Sequence, residues 1–344
     1  MPLKEKRILG LDIGTYGVKA VELDTSGREP VITNFGKTRV RSPHAMVEAI
    51  REVRSLAGTK TKRVVTAVSG RSVIVRYIQM RRMGDADLRN AVRFEAKKYI
   101  PFDTEEIVLD CQRLDGNGSA SSGDETDQMR VLLVAVKKSS VVEQLTLLRE
   151  AGVQPVVIDV DGFALGNAWE LSRRGGGGNG EAVALVDVGA NKACINILMG
   201  ASSYFTREVY VAGNDFSEAI SRRMELDVQQ VETLKRAPGE QLEEVREATL
   251  GTLDDLGNEI RLSLDYFENQ FEREVSEILL SGGGAALPWI QEELSGLLAK
   301  PVRTWDPLET VSCDVGPAEE RLRCESAQFA VAVGLAARAW DMRQ

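Results

Sequence analysis

The sequence is poor in the side chains that build metal centres and disulfide frameworks. It has one histidine and four cysteines among 344 residues, and no two cysteines form a C-x-x-C pair. A zinc site usually draws on clustered Cys and His ligands, so a zinc protein is not expected. We expect reduced thiols packed in the core. The four cysteines are Cys111, Cys194, Cys313 and Cys324.

Long apolar runs and a surplus of positive charge are also missing. No stretch approaches the roughly 20 apolar residues that a membrane-spanning helix needs. Asp12 interrupts the first apolar run, so a secretory signal is not expected. The net charge of -9 argues against nucleic acid as a partner, because duplex binding relies on a basic surface. We therefore expect a cytoplasmic protein with no direct membrane insertion.

Apolar sequence, in contrast, is ample. Hydrophobic residues make up 43% of the chain, which is ordinary for a globular protein. Single cores stop growing at roughly 250 to 300 residues. The length therefore predicts at least two lobes.

Two similar segments lie about 175 residues apart, a spacing that indicates an internal duplication. RILGLDIG at 7–14 and AVALVDVG at 182–189 each end in an Asp-x-Gly turn and precede two more strand-like segments. Alternating apolar residues on both sides of each turn predict a β-hairpin. We expect one such βββ unit in each lobe.

Composition changes suggest further divisions. Asp85 can cap a helix that ends before Pro101, and the polar stretch 115–127 has too little apolar content to pack, which predicts a flexible loop. The glycine run 175–178 is the candidate lobe boundary. The predicted divisions are 1–84 with 152–174 for the first lobe core, 85–151 for an inserted subdomain, 175–213 with 275–325 for the second lobe core, 214–274 for a helical subdomain, and 326–344 for a C-terminal helix packing back on the first lobe.

Three glycine-rich turns have the composition of a nucleotide site. DIGTYG at 12–17 and DVGANK at 187–192 can point backbone N–H groups at phosphate without side-chain obstruction. Asp12 and Asp187 would repel phosphate oxygens, so we predict that they orient the waters of Mg²⁺. SGGGAAL at 281–287 joins a strand to a helix, and its bare backbone can approach a base or a phosphate. Each turn alone is more typical of an ordinary loop, and the prediction of bound ATP-Mg rests on the three together.

In this order the three turns resemble the motifs of the actin and sugar-kinase superfamily. The closer resemblance is to the family of the type IV pilus assembly protein PilM, which is similar to the division protein FtsA. It extends over nearly the whole chain through LGLDIGTYGVKAVEL, LRNAVRFEAKKYIPF, VIDVDGFALGNAWE, ALVDVGANKACINI and ILLSGGGAALPWIQEEL. The resemblance implies an α/β, actin-like two-lobe fold, with duplicated ribonuclease-H-like βββαβα domains and an FtsA-like inserted subdomain.

The resemblance also assigns roles by position. It places Asp12, Gly14, Thr15 and Lys19 in the first phosphate loop, Asp187, Gly189 and Asn191 in the second, Gly282, Gly283 and Gly284 at the adenosine end, and Glu259 and Arg261 at the ribose and base. A solvated helix face is the alternative for Glu259 and Arg261. Many relatives have Ser or Thr where this chain has Gly17, which puts ATP hydrolysis in more doubt than binding.

The implied function is that of an ATP-bound cytoplasmic scaffold in type IV pilus assembly, peripheral to the inner membrane through its partners and at most a slow ATPase. The implied partner is the N-terminal cytosolic peptide of PilN, with self-association left open. Aromatic residues beside basic ones favour a peptide groove next to the inserted subdomain, the alternative being simple core packing. The groove residues are Arg93, Phe94, Lys97, Tyr99 and Phe102.

Two other functions remain open at this point. A small-molecule kinase, for a sugar or small acid, would need a carboxylate base between the lobes, and Asp161 is the candidate catalytic residue. An FtsA-like division filament would need a tail that binds lipid. The C-terminal helix lacks the basic face of such anchors, which favours core packing.

Overall fold

The computed structural model describes residues 6–114, 128–173 and 180–341. The predicted flexible loop at 115–127 and the glycine run at 175–178 lie outside the described residues. The chain divides into two compact units. The main unit comprises Met1–Ala67 and Glu150–Gln344, and the inserted unit comprises Val68–Arg149.

The main unit begins with a three-stranded meander, a helix and a fourth strand. These are β1 (Arg7–Ile13), β2 (Gly17–Asp24), β3 (Val31–Arg39), α1 (Met46–Leu56) and β4 (Val64–Val68). β1 pairs antiparallel with β2 and parallel with β4. Ile8, Leu9 and Leu11 of β1 are all fully buried, as expected for a central strand covered on both faces.

The inserted unit is an antiparallel sheet with its own core. Its elements are β5 (Val73–Arg81), α2 (Asp85–Glu95), β6 (Ile107–Arg113), β7 (Gln128–Lys137) and α3 (Lys138–Glu150), with strand order β5-β7-β6. Leu88 and Val92 of α2 pack among buried residues of the strands. The sequence places the start of this insert at residue 85. β5 lies before that point and pairs with β7 along its whole length, so the unit begins at Val68.

The chain then returns to the main unit, where β8 and β14 join the first sheet and the other strands build the second lobe. The strands are β8 (Pro155–Val160), β9 (Ala182–Val188), β10 (Ala193–Met199), β11 (Ser202–Val209), β12 (Val275–Ser281), β13 (Val302–Thr304) and β14 (Ser312–Cys313). The helices are α4 (Asp161–Ser172), α5 (Gly213–Met224), α6 (Val228–Arg236), α7 (Leu242–Phe271), α8 (Ile290–Leu298), α9 (Glu319–Cys324) and α10 (Ala330–Asp341).

Sheet topology confirms the predicted duplication. The two sheets of the main unit have the orders β14-β3-β2-β1-β4-β8 and β11-β10-β9-β12-β13. Apart from the short strand β14, the two orders correspond strand for strand. In each, the central strand pairs antiparallel with the second strand of its meander and parallel with the strand that follows. The two Asp-x-Gly turns therefore occupy equivalent positions in two related lobes.

Two helices with small residues connect the lobes. A Cβ on Gly334 of α10 would lie 1.7 Å from the Ala164 carbonyl oxygen of α4, so the two helices cross almost backbone to backbone. Gly10 of β1 also approaches α10 closely, since a Cβ there would lie 2.0 Å from the Ala332 carbonyl oxygen. Gly162 of α4 lies against β10 and β11. The C-terminal helix thus packs on the first sheet, while α4 packs on the second.

The four cysteines differ in burial. Cys194 is buried and Cys111 and Cys313 are partly buried, but Cys324 is exposed at the last residue of α9. The expectation that all four thiols pack in the core is therefore wrong for Cys324.

Among the helices of the described residues, none is long and apolar enough to span a bilayer.

Candidate functional site

The predicted first phosphate loop is the β1–β2 turn, and its backbone geometry requires glycine. The Gly14 N–H donates to the Gly17 carbonyl oxygen at 3.2 Å, and a Cβ on Gly14 would lie 2.9 Å from that oxygen. Thr15, at the tip of the turn, is exposed. The turn therefore presents backbone and one hydroxyl to solvent.

Gly17 is buried, and packing explains why it carries no side chain. A Cβ there would lie 2.8 Å from the Thr38 carbonyl oxygen on β3. Real Cβ atoms avoid such a distance, so a Ser or Thr would require β3 to shift. A hydroxyl-bearing side chain at position 17 is thus excluded by the neighbouring strand.

Asp12 and Lys19 face each other across the first hairpin. They are register partners, and Lys19 Nζ donates to Asp12 Oδ2 at 2.9 Å. Burial disfavours the charged form of Lys19, but Asp12, with help from Asp187, raises its pKa above the ordinary value. Lys19 therefore stays protonated and interacts with carboxylates of both lobes.

The second loop, the β9–β10 turn, repeats this construction. The Gly189 N–H donates to the Lys192 carbonyl oxygen at 3.0 Å, and a Cβ on Gly189 would lie 2.9 Å from that oxygen. The carbonyls of Gly189 and Ala190 accept hydrogen bonds from the first two residues of α5. Asn191 is exposed, and its side-chain oxygen accepts a hydrogen bond from Asn214. The loop is thereby anchored to the start of α5.

Asp187 precedes this loop and is hydrogen-bonded to Ser281, where β12 ends and the glycine turn at 282–284 begins. Its Oδ1 accepts a hydrogen bond of 2.9 Å from the hydroxyl of Ser281, which is fully buried. Burial raises the pKa of Asp187, the nearby Asp12 carboxylate adds to the rise, and Lys19 opposes it. The structure thus brings the two predicted Mg²⁺ residues close enough for their charges to interact.

The three glycines after Ser281 differ in their surroundings. Gly282 has a φ of 82°, and a Cβ there would lie 2.5 Å from the Val188 carbonyl oxygen. A Cβ on Gly284 would lie 2.4 Å from Val188 Cγ1, whereas a Cβ on Gly283 would meet nothing within 4 Å. Gly282 and Gly284 are therefore needed for packing against the second loop, and Gly283 is the one of the three that faces open space.

Glu259 and Arg261 are not brought together. Two helix positions apart means roughly 200° of rotation around α7. Glu259 pairs with Arg207 of β11 at 2.7 Å, while the exposed Arg261 bonds Asn258 and the Leu297 carbonyl oxygen of α8. In this arrangement both side chains have protein partners and lie on different faces of α7, and their roles at the ribose and base stay a prediction.

Asp161, the candidate base, belongs to a cluster that the sequence did not reveal. Lys192 Nζ donates both to Asp161 Oδ2 and to Glu208 Oε1. Burial raises the pKa of Asp161 to about 6 against the opposing charge of Lys192, with Glu208 adding to the rise. These three residues lie on separate elements far apart in the chain, so no local pattern could have identified the cluster.

The five predicted groove residues all lie on α2 and the segment after it, in the inserted unit. Phe94 is 81% exposed and Tyr99 is 36% exposed. Arg93 and Lys97 are exposed too. Phe102 is partly buried against the core of the unit, and Lys137 Nζ lies 4.4 Å from its ring centroid. Phe94 is thus the most available apolar side chain of the five.

Chemically, the two loops combine bare backbone with an acidic surplus. Asp12, Asp187, Asp161 and Glu208 outnumber Lys19 and Lys192, and their charges interact. Within the described residues, no group of three or more His, Cys, Asp or Glu side chains could hold a metal ion unaided. Mg²⁺ is commonly held by one or two carboxylates together with phosphate oxygens. Asp12 and Asp187 fit that role.

The chain matches a known protein family in sequence and a solved structure in fold. The family model described as type IV pilus assembly protein PilM matches residues 10–340. A chain in the structure described as the PilM-PilN type IV pilus biogenesis complex is 32% identical, with a TM-score of 0.84, covering 98% of this chain and 99% of that chain.

Two more distant structures share the fold. The ethanolamine utilization protein EutJ from Carboxydothermus hydrogenoformans is 15% identical, with a TM-score of 0.57 over 98% of this chain and 91% of that chain. MreB 5 of Spiroplasma citri, solved bound to AMPPNP, is 13% identical, with a TM-score of 0.53 over 99% of this chain and 98% of that chain. Together these matches confirm the predicted actin-like two-lobe fold.

Proposed function

The chain belongs to the family of the type IV pilus assembly protein PilM, and from this premise we propose that it is an ATP-binding scaffold that holds the N-terminal cytosolic peptide of PilN. Family membership favours this reading over a small-molecule kinase or a division filament. In this proposal the protein is cytoplasmic and reaches the inner membrane through PilN.

One observation carries the nucleotide part of the proposal. The charges of Asp12, Lys19 and Asp187 interact although they come from two lobes, which supports a single site shared by the two loops. Lys19 can offer its ammonium to a phosphate, while Asp12 and Asp187 orient waters of a bound Mg²⁺. Bound Mg²⁺ supplies the positive charge that a triphosphate needs next to carboxylates.

The partner part rests on the inserted unit. The solved relative at 32% identity is described as a complex of PilM with PilN. In this chain, Phe94 and Tyr99 are exposed beside Arg93 and Lys97, a mix of aromatic and basic side chains that is enriched at binding hot spots. We propose that this surface contributes apolar anchors and charge steering to peptide binding.

Phe94 also provides the sharper test, because Phe102 packs against the core and its removal would disturb the fold. Calorimetry with ATP-loaded protein should show a saturable one-to-one isotherm with a PilN N-terminal peptide, with a Kd on the order of micromolar. Phe94→Ala should weaken this binding roughly tenfold, the effect of losing about 1.4 kcal/mol.

Leu262→Ala is the matched control, because Leu262 is an apolar residue of the second lobe that is 58% exposed. It should bind the peptide as the wild type does. Absence of heat with wild-type protein, or equal weakening by Leu262→Ala, would rule out the proposed surface.

A further inference from the structure

Lys192 joins three elements of the main unit. It closes the β9–β10 turn and donates to Asp161, the first residue of α4, and to Glu208 on β11. The side chains of all three are largely buried, with exposed fractions of 23% for Lys192, 15% for Asp161 and 18% for Glu208. A single ammonium group therefore forms ion pairs with two carboxylates that come from two other elements.

The remaining oxygens of the two carboxylates are also engaged. Asp161 Oδ1 accepts from the Gly162 N–H at 2.8 Å, and Glu208 Oε2 accepts from the Tyr210 hydroxyl at 3.3 Å. A Cβ on Gly162 would lie 2.6 Å from Thr206 Oγ1, so the start of α4 is pressed against β11. This packing fixes where the Asp161 carboxylate lies.

The charges around Asp161 are unbalanced without Lys192. The titratable groups that act on Asp161, or on which it acts, are Lys192, Glu208, Asp187 and the Cys194 thiol. Lys192 is the one cation among these four. Burial opposes its charge, but the two carboxylates prevail and raise the pKa of Lys192. Two buried carboxylates that share a site cannot both stay ionised once their counter-charge is removed.

We propose that Lys192 is a positioning residue of the nucleotide site, which holds Asp161 ionised and fixes the start of α4 beside the second phosphate loop. This inference rests on the proposed ATP binding. α4 follows directly from β8 of the first sheet, whereas Lys192 belongs to the second lobe. The Lys192 ammonium thereby connects the two lobes at the edge of the loop that faces the phosphates.

The test compares Lys192→Met, which keeps the apolar stem, with Lys300→Met. Lys300 is an apt control because it also bridges two glutamates, Glu268 and Glu274, with 15% of its side chain exposed. Titration with ATP-Mg should show Lys192→Met roughly tenfold weaker at neutral pH, a loss of about 1.4 kcal/mol. Lys300→Met should bind as the wild type does.

The pH dependence of ATP-Mg binding distinguishes a positioning role of Lys192 from general damage to the fold. In Lys192→Met the two carboxylates should share a proton, so the midpoint of the pH dependence of ATP-Mg binding should move to higher pH. Adding Asp161→Asn should abolish that shifted dependence. An unchanged affinity and profile in Lys192→Met, or the same changes in Lys300→Met, would overturn the proposal.

A measurement without nucleotide keeps the two proposals distinct. Unfolding of Lys192→Met should depend on pH more steeply near neutrality than unfolding of the Lys192→Met, Asp161→Asn double variant. If wild-type protein does not bind ATP-Mg, the proposed function fails. The comparison of the two variants then tests by itself whether Lys192 keeps Asp161 ionised. Equal pH dependence in the single and double variants would refute the role of Lys192 in holding Asp161 ionised.

Discussion

The Ser281 hydroxyl donates a hydrogen bond of 2.9 Å to the Asp187 carboxylate, which ties the glycine turn after β12 to the second phosphate loop. Both ends of this bond lie in the second lobe, where Ser281 is fully buried and Asp187 is partly buried. The contact engages one carboxylate oxygen of Asp187 and thereby restricts the orientation of its side chain.

Removing this hydroxyl should therefore affect ligand binding more than folding. We expect Ser281→Ala to weaken ATP-Mg binding by about tenfold or more, because a hydrogen bond to a charged group contributes about 1.5 to 3 kcal/mol and each 1.4 kcal/mol is a factor of ten. Titration calorimetry measures the affinity, and thermal unfolding provides the control. Unchanged affinity in Ser281→Ala would mean that the orientation of Asp187 does not matter for binding.

Bound nucleotide should stabilise the fold in a manner that depends on Mg²⁺. At ligand near 100 times its Kd, linkage gives about 2.7 kcal/mol, which is readily seen as a higher Tm. Asp12→Asn should abolish most of this rise, because it removes half of the predicted Mg²⁺-orienting pair. A flat response of nucleotide-free wild-type protein to millimolar ATP-Mg would contradict the nucleotide site.

The crossing of α4 and α10 should be the most sensitive packing point of the main unit. Gly334→Ala would place a Cβ 1.7 Å from the Ala164 carbonyl oxygen, so the helices must separate. We expect a loss of roughly 3 kcal/mol or more in the free energy of unfolding, the upper end for overpacking. Gly296→Ala in α8 is the control, since its Cβ would meet nothing within 4 Å.

In a denaturant titration, Gly296→Ala should be neutral or slightly stabilising, because alanine favours a helix more than glycine does. Equal stability of Gly334→Ala and Gly296→Ala would contradict the close crossing.

Asp161 should make stability depend on pH in a predictable direction. Burial raises its pKa to about 6, above the roughly 3.9 of an unfolded aspartate, despite the opposing charge of Lys192. The folded protein then binds this proton more tightly than the unfolded chain. The stabilising contribution is therefore complete below about pH 4 and is lost as the pH rises through about 6.

Between about pH 7 and pH 5, wild-type protein should gain about 1 kcal/mol relative to Asp161→Asn. Comparing the two proteins cancels most of the contribution of other acids whose pKa burial raises, such as Asp159. The measurement is denaturant unfolding at both pH values. A difference between the proteins that stays constant with pH would show that Asp161 titrates normally.

The sequence predicted the parts of the fold that depend on local patterns. Alternating apolar residues around Asp12 and Asp187 indicated the two hairpins, and each hairpin forms where predicted. The start of the inserted unit was placed too late, at residue 85, because β5 could not be assigned to this unit from the sequence. β5 pairs with β7, which lies more than 40 residues later in the chain. Strand propensity carries no information about such long-range partners.

The site residues divide in the same way, into those that a local sequence pattern identifies and those that depend on long-range contacts. Gly14 and Gly189 were identified because tight turns have a local signature, and the structure gives both the same backbone hydrogen bond. Lys192 was missed because its partners Asp161 and Glu208 come from distant segments. The separation of Glu259 and Arg261 was available from helical periodicity, since residues two apart cannot share a helix face.

The proposed function makes the ATP-bound form of this chain the scaffold that holds PilN, and this claim is tested most directly by measuring peptide affinity with and without ATP-Mg. The account predicts that ATP-Mg lowers the Kd of a PilN N-terminal peptide by at least about fivefold, and that the peptide lowers the Kd of ATP-Mg by the same factor. Asp12→Asn should bind the peptide with the weaker, nucleotide-free affinity in both conditions. Identical peptide affinity in wild-type protein with and without bound ATP-Mg would contradict the claim.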